Sequence, residues 1–485
     1  MLTRRLVQLG VWASAAAFLL SQLTSCGSGG SNLADGGIGG TGVIAAGAVT
    51  AKGSIFVNGI EYSVEGAAFE RDGVSQTLTE DEQSTRIGMV LEVEGTLAAD
   101  GQTGRATNLR FKDLVEGTID SSLSNSTGIK LLTILAQPVV VADGLTSFAG
   151  DLNFDTIEDE PGFLEVSGFR RADGRIQASY IERKAAGRFE VTGAVTAIAA
   201  DGLTFRIGEL TVTDSGLPPL PDDLDGALVR AEGAYDPVSR TLDATSISLQ
   251  DPGLSRADAD RAEVEGFVAN DFFSDGGGIP AETIFRVDGQ DVVYTTATEF
   301  VRGSAEDLIN NTKVEAEGPL LGGVLSAEKI EFKENLKFQG PVTAVTANSL
   351  TLTYPDALAG TSAVVVSVDP AVTEEDTRFA DVSANDSVKL EGQLLGDGTA
   401  LATRLRELEP ANGRIILQAP VESIDAATLS LRGVTIDASD ASGLSFSDDD
   451  VEISRERFFA ALRVGSLVKA QGDQPGRWDS LELER

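Results

Sequence analysis

Short runs of alternating apolar and polar residues, broken by Gly, Asp and Pro, fill the chain from residue 45 to its end. Alternation of this kind puts every second side chain on one face of a strand and makes the breaks turns. Residues 188–259 show the plan most clearly. Phe189 to Ile198 (FEVTGAVTAI) alternates as a strand, Asp201 and Gly202 turn, and Leu203 to Ile207 alternates again. Gly208 and Glu209 turn into Leu210 to Thr213, and an irregular segment with Pro218, Pro219 and Pro221 follows. The strands Leu228 to Glu232 and Leu242 to Leu249, joined by a turn near Asp236 and Pro237, complete the unit. The predicted order is three strands, a connector and two strands. In other copies the connector is helix-like, as at Ser304 to Asn310 and Ser454 to Leu462. The second of these opens on Ser454 as an N-cap, with Glu456 in the first turn.

The plan recurs six times. An alternating stretch ending in Gly appears as LEVEG at Gly95, LEVSG at Gly168, VRAEG at Gly233, VEAEG at Gly318, VKLEG at Gly392 and VKAQG at Gly472. These glycines lie 65 to 85 residues apart. Ten or so residues past each comes an apolar-x-small-x-x-apolar marker. Its small and outer apolar members are Ala106 and Leu109, Ala178 and Ile181, Ala244 and Ile247, Ala327 and Ile330, Ala402 and Leu405, Ser480 and Leu483. A third marker, apolar-x-Gly-x-apolar, opens units around Gly117, Gly193, Gly266 and Gly340, with degenerate copies at Gly47 and Ala419. Three markers in a fixed order define tandem modules. Their bounds are 45–113, 114–187, 188–259, 260–335, 336–411 and 412–485.

Five strands in this order and length resemble the OB-fold, a five-stranded Greek-key barrel with a helix between strands three and four. The resemblance implies an all-β chain, a tandem array of six small OB-like barrels; tandem β-sandwich modules are the alternative. In the third module the prolines stand where the family has its helix. The strand-one glycine suits a strand that must coil or bulge sharply.

The first 25 residues read as a signal peptide: Arg4 and Arg5 form a positive n-region, and Val11 to Leu20 an uncharged h-region. That core is half the roughly 20 residues a helix needs to cross a bilayer. Leu23, Thr24, Ser25 and Cys26 resemble the lipobox of bacterial lipoproteins, in which the thiol after the cut accepts diacylglycerol. The alternative is ordinary secretion with an incidental cysteine. The resemblance implies a chain cut before Cys26 and anchored in the cell envelope by lipid on that residue. Gly27 stands where an inner-membrane retention signal has Asp, which favours the outer membrane. Residues 26–44, nearly all Gly, Ser and small residues, read as a tether. The segment GGIGGTG with GSIFVNGIEYSVEGA and GMVLEVEG, over residues 36–95, also resembles a bacterial family known only as a domain of unknown function. Its members are lipoproteins with repeated β-modules, so it implies an architecture and a location but no activity.

Composition narrows the chemistry. One cysteine excludes internal disulfides, and the lack of any histidine excludes Ser–His–Asp and Cys–His nucleophiles and His-based metal sites. With 38 basic against 75 acidic side chains, a net charge of −37 repels phosphate backbones and argues against nucleic acid as a partner. Ser326 to Lys329 (SAEK) matches a Ser-x-x-Lys string but sits in a predicted strand with no partner strings, and reads as structure. Asp214, Ser215 and Gly216 read as a strand-ending turn. The recurring Glu94, Glu232, Glu317 and Glu391 before the strand-four glycine point away from the core and read as solvated. The clusters Asp222, Asp223, Asp225 and Asp448 to Asp450 lack EF-hand spacing and read as acidic loops, with calcium as the alternative. Phe189, Phe205 and Phe338 read as core, and Trp478 as packing within the last strand. No catalytic, cofactor or metal residue stands out; Cys26 is the one assigned site. The expectation is a non-enzymatic structural or binding scaffold whose partners are the membrane and an envelope protein or polysaccharide. The alternatives are an oligosaccharide- or peptide-binding protein using its OB-like faces, and a calcium-stabilised surface array.

Overall fold

In each copy the alternating runs form strands, and the apolar set of every strand turns inward around a small barrel. The computed structural model describes residues 42–484, apart from 52–53, 72–73, 78–84, 125–127, 160–161, 186, 201, 214–223, 270–278, 396–397, 409–412, 440–442, 449–450 and 474–475. Cys26, the signal peptide and all but the end of the tether therefore lie outside the described residues, as do Asp214 to Gly216, Asp222, Asp223, Asp449 and Asp450. The first strand starts at Val43, inside the stretch read as tether.

Barrel four shows the topology. Its strands are Ala259–Ala269, Phe285–Val287, Gln290–Val301, Lys313–Leu321 and Val324–Phe332. Strand one pairs antiparallel with two and with four, two with three and four with five, while strands three and five run parallel. This closed 1-2-3-5-4-1 order is that of an OB barrel and overturns the sandwich alternative. The parallel three–five pairing recurs in the first five units, and in the sixth a later strand, Ser445–Asp448, lies parallel to strand five instead. Barrel three follows the sequence closely, with strands Phe189–Ala194, Thr204–Ile207, Leu210–Thr213, Leu228–Asp236 and Thr241–Leu249. Barrel one adds a hairpin, Ala68–Arg71 and Val74–Thr77, that pairs with its fifth strand. The predicted helices differ in kind. Arg455–Ala461 is an α-helix capped by Ser454, whose hydroxyl accepts from the Arg457 N–H; the earlier segment shrinks to a 3₁₀ turn at Ala305–Asp307.

Two of the sequence markers prove to be one feature. The strand-four glycine faces the small residue of strand five in the ladder: Gly95 opposite Ala106, Gly168 opposite Ala178, Gly233 opposite Ala244, and Gly392 opposite Ala402. One residue of strand five bulges out beside each pair, at Thr107, Ser179, Thr245 and Thr403. The bulge drives a strand-five carbonyl onto the glycine. A Cβ at Gly392 would clash with Leu401 O, and one at Gly95 with Arg105 O.

The barrels join through their first strands. Strand one of barrel two (Val115–Gly117, continued by Ile119–Ser124) pairs antiparallel with strand one of barrel three. Strand one of barrel five (Leu336–Val345) pairs in the same way with that of barrel six (Ile415–Asp425). Val115 faces Val191 in one seam and Phe338 faces Leu417 in the other. Each of these lies two residues before its marker position, so equivalent residues face each other across a local two-fold axis in both seams. Barrels one and four also join at strand one, but in parallel, from Val43 beside Arg261 to Ala46 beside Val264. Modules two and three thus sit in sequence between two that pair with each other. Apolar cores run across the seams: one cluster serves barrels five and six, and another serves barrels two and three. Tyr180 of barrel two completes the core of barrel one. A barrel of some 70 residues encloses little apolar volume alone, and fused cores offset that limit.

Candidate functional site: charged seams between the barrels

The second residue of each LEVEG-type stretch points out of its barrel, where solvent would be in an isolated module. It is charged in all six copies: Glu92, Glu165, Arg230, Glu315, Lys389 and Lys469. In the assembled chain these side chains lie at or near seams. Glu165 is fully buried, and Glu92 and Glu315 nearly so. A buried charge needs a partner, and each has one.

Four of the six reach beyond their own barrel. Glu165 is gripped by Arg71 from barrel one's extra hairpin and by Lys184 at 3.2 Å; Arg71 also holds Glu182 at 2.7 Å. Glu92 takes Arg110 at 3.1 Å and accepts from the Ser255 N–H and hydroxyl in the connector after barrel three. Arg230 contacts Asp113, in the linker between barrels one and two, and lies 2.7 Å from Glu190. Lys389 of barrel five meets Asp307 of barrel four at 2.5 Å and Glu391 at 3.0 Å. The other two pair locally, Glu315 with Lys333 at 2.8 Å and Lys469 with Glu482 at 2.6 Å.

Further contacts complete the seams. Asn311 of barrel four accepts from the Ala172 N–H of barrel two and donates to Glu374 of barrel five, joining three barrels. Arg171 of barrel two donates to Val372 O of barrel five at 2.8 Å and lies over the Phe267 ring of barrel four. Trp478 precedes the final strand, Ser480–Glu484, and packs across a seam rather than inside its own barrel. It stacks on Tyr354 of barrel five and donates to Pro355 O.

Burial and neighbours set the charge states. Burial pushes Asp307 up, but Lys337 and Lys389 outweigh it and hold the carboxyl well below its usual range. Burial, then repulsion from Glu315, pushes Glu263 up to about 8. Burial likewise raises Glu334 to about 7 and Asp288 to about 6. Of these groups Asp307 ties barrel four to barrel five, through Lys389. A recess lined by Asp307, Lys389, Glu391, Arg404 and Arg406 has room for about one water molecule. Among the described residues no group of three or more His, Cys, Asp or Glu is placed to hold a metal ion. Among them, too, no helix is long and apolar enough to cross a membrane.

Of the four glutamates read as solvated, three stay partly exposed and pair within their own barrels, and one is buried. Glu94 pairs with Asn108, Glu232 with Arg188 and Glu317 with Arg261, while Glu391 is buried beside Lys389. The neighbouring barrel covers Glu391 alone, which alternation within one module does not reveal. Ser326 and Lys329 lie in strand five of barrel four. Phe205 and Phe338 are buried, and Phe189 is half-buried against Phe163 and Tyr235. The charged seam position escapes a reading of hydrophobic pattern alone. Its signal is that six repeats keep a charge, of either sign, between two core residues.

Residues 116–182, 278–331 and 339–406 match the family described as a domain of unknown function, DUF5666. These segments fall on barrels two, four and five, beyond the 36–95 stretch where the sequence resemblance is closest. Among solved structures, drosophila Unr CSD456 is similar at 16% identity over 46% of this chain and 90% of that one, with a TM-score of 0.11. No curated protein matches.

Proposed function

We propose that this chain of repeated β-barrels, three of them similar to a family without an assigned activity, is a non-enzymatic scaffold of the bacterial cell envelope. It is held to a membrane, the outer membrane in preference, by lipid on Cys26. The observation that carries the reading is the use made of its charge. The outward residue of strand four, charged in every repeat, ties barrel to barrel or braces its own sheet, as at Glu165, Arg230 and Lys389. Chemistry of this kind fixes the geometry of a body that presents its surface to something else. Its partner in that reading is another envelope protein or a polysaccharide.

Fractionation tests the anchor. The wild-type chain is expected in the membrane pellet after a carbonate wash, and Cys26→Ala in the soluble fraction with an unchanged β-sheet spectrum. A Cys26→Ala chain that stays in the washed membrane refutes the anchor. Glycan arrays and cell-wall pull-downs with the lipid-free chain test the ligand-binding alternative, which saturable binding at a barrel face would favour.

A further inference from the structure

Barrels two and three are joined by the shortest of the three strand-one ladders. It has two residue pairs, Glu190 beside Glu116 and Val191 beside Val115, against three between barrels five and six and four between barrels one and four. This ladder also carries an excess of acid. Glu190 (1% exposed) faces Asp113 (4% exposed) of the linker and Glu116 (2% exposed) of barrel two. Strand four of barrel three adds Glu232 and Arg230, and Arg188 precedes strand one. Arg230 serves both Asp113 and Glu190, lying 2.7 Å from Glu190 Oε1. Arg188 Nη1 stands 3.8 Å from Glu190 Oε2 and 3.4 Å from Glu232, while the Arg188 N–H donates to Glu116 at 2.7 Å. Four carboxyls thus meet two guanidiniums, with Asp113, Glu116 and Glu190 buried and Arg188 and Glu232 partly open to water.

We infer that Glu190 keeps a proton in this seam beside Asp113, and that its loss at alkaline pH loosens barrel three from barrel two. Two buried carboxylates this close cannot both ionise without a large cost, and a proton on one of them removes most of it. Burial, followed by the charge of Asp113, pushes the Glu190 carboxyl up against the pull of Arg230. A raised carboxyl favours the closed seam fully at low pH, and the advantage falls as pH climbs through the raised value. The proton passes to water; no bond in the chain breaks. The short ladder leaves few backbone bonds to resist the repulsion that follows.

Energy transfer between dyes on the two barrels tests this in the full lipid-free chain. Leu123 of barrel two and Val238 of barrel three are 72% and 93% exposed, so Leu123→Cys and Val238→Cys in a Cys26→Ala background accept dyes at the surface. Transfer is expected to stay constant from about pH 5 through neutrality and to fall above it, reversibly, before the β-sheet spectrum changes. Glu190→Gln, which keeps the size and stays neutral, is expected to abolish the fall. If Glu190→Gln lacks the parent's transfer at about pH 5, Asp113→Asn takes its place in the comparison. Transfer that stays flat in the parent until global unfolding overturns the inference, as does an equal fall in the neutral variant.

Discussion

The strand-four glycines have ordinary backbone angles; what forbids a side chain there is the carbonyl pressed onto them by the bulge in strand five. Gly392→Ala would place a methyl group against Leu401 O, inside a cluster that spans barrels five and six. Overpacking of this kind costs about 1–3 kcal/mol, and urea unfolding is expected to show a lower midpoint with an unchanged slope. The opposite fault, a charge deprived of a partner, is tested at Arg71. Arg71→Ala takes one of its cationic partners from the buried Glu165. A loss at the low end of the about 3–5 kcal/mol that follows breaking a buried pair is expected from the same measurement. The glycine and alanine markers were legible in the sequence because one steric event writes both. The seam charges were not, because an outward polar residue in a strand looks the same whether water or another barrel covers it.

Elements follow local signals wherever those signals are strong. Ser454 caps the α-helix Arg455–Ala461 as the Ser-x-Glu pattern implied, and Ser454→Ala is expected to cost about 1 kcal/mol in a denaturant melt. Barrel six departs from the plan for a reason its own pattern does not contain. Its second and third strands, Thr428–Leu431 and Val434–Asp437, form a hairpin that leans on barrel five, and Ser445–Asp448 takes the place beside strand five. One carboxylate fixes that hairpin. Asp356 of barrel five accepts from the Leu358, Ala359 and Thr435 N–H groups and the Ser362 hydroxyl. Burial pushes its carboxyl up, but these four bonds prevail and bring it down to about 2. The lowered value means a contribution present above the ordinary carboxylate range and lost as pH falls towards 2. Asp356→Ala is expected to speed hydrogen exchange at the Thr435 amide while leaving the cores of barrels one to four protected. Equal exchange in parent and variant would show that other contacts hold the hairpin.

At the scale of the molecule the sequence shows six units but not how they pair. The partner of Val43 is Arg261, and nothing in either module marks the choice. Pairing depends on which outward faces complement one another after folding, a property of surfaces rather than of periodicity. The seams so formed give stability an unusual dependence on pH. Glu263 near 8, Glu334 near 7 and Asp288 near 6 all hold protons more tightly than an unfolded carboxyl does. Each contributes fully below the ordinary carboxylate range and less as pH rises through its own raised value. Asp307 and Glu265, held low by lysines, act in the other direction and are lost in acid. The melting temperature is therefore expected to peak in mildly acidic buffer and to decline between about pH 6 and 8. A maximum above pH 8 would mean that the raised carboxyls do not govern the seams.

The two-fold seams also govern how such a chain can grow. A strand edge that matches an equivalent edge in antiparallel register is self-complementary, so a lone barrel carrying it would form a symmetric dimer. Barrels two with three, and five with six, are such dimers written into one polypeptide. An even count leaves no first strand unmatched; an odd count leaves one bare. A chain ending at Glu407 strips the cover from Lys337, Phe338 and Gln339. Sedimentation is expected to find that truncated chain as a dimer, joined edge to edge where barrel six used to sit. Lineages of this architecture are then expected to gain and lose barrels two at a time.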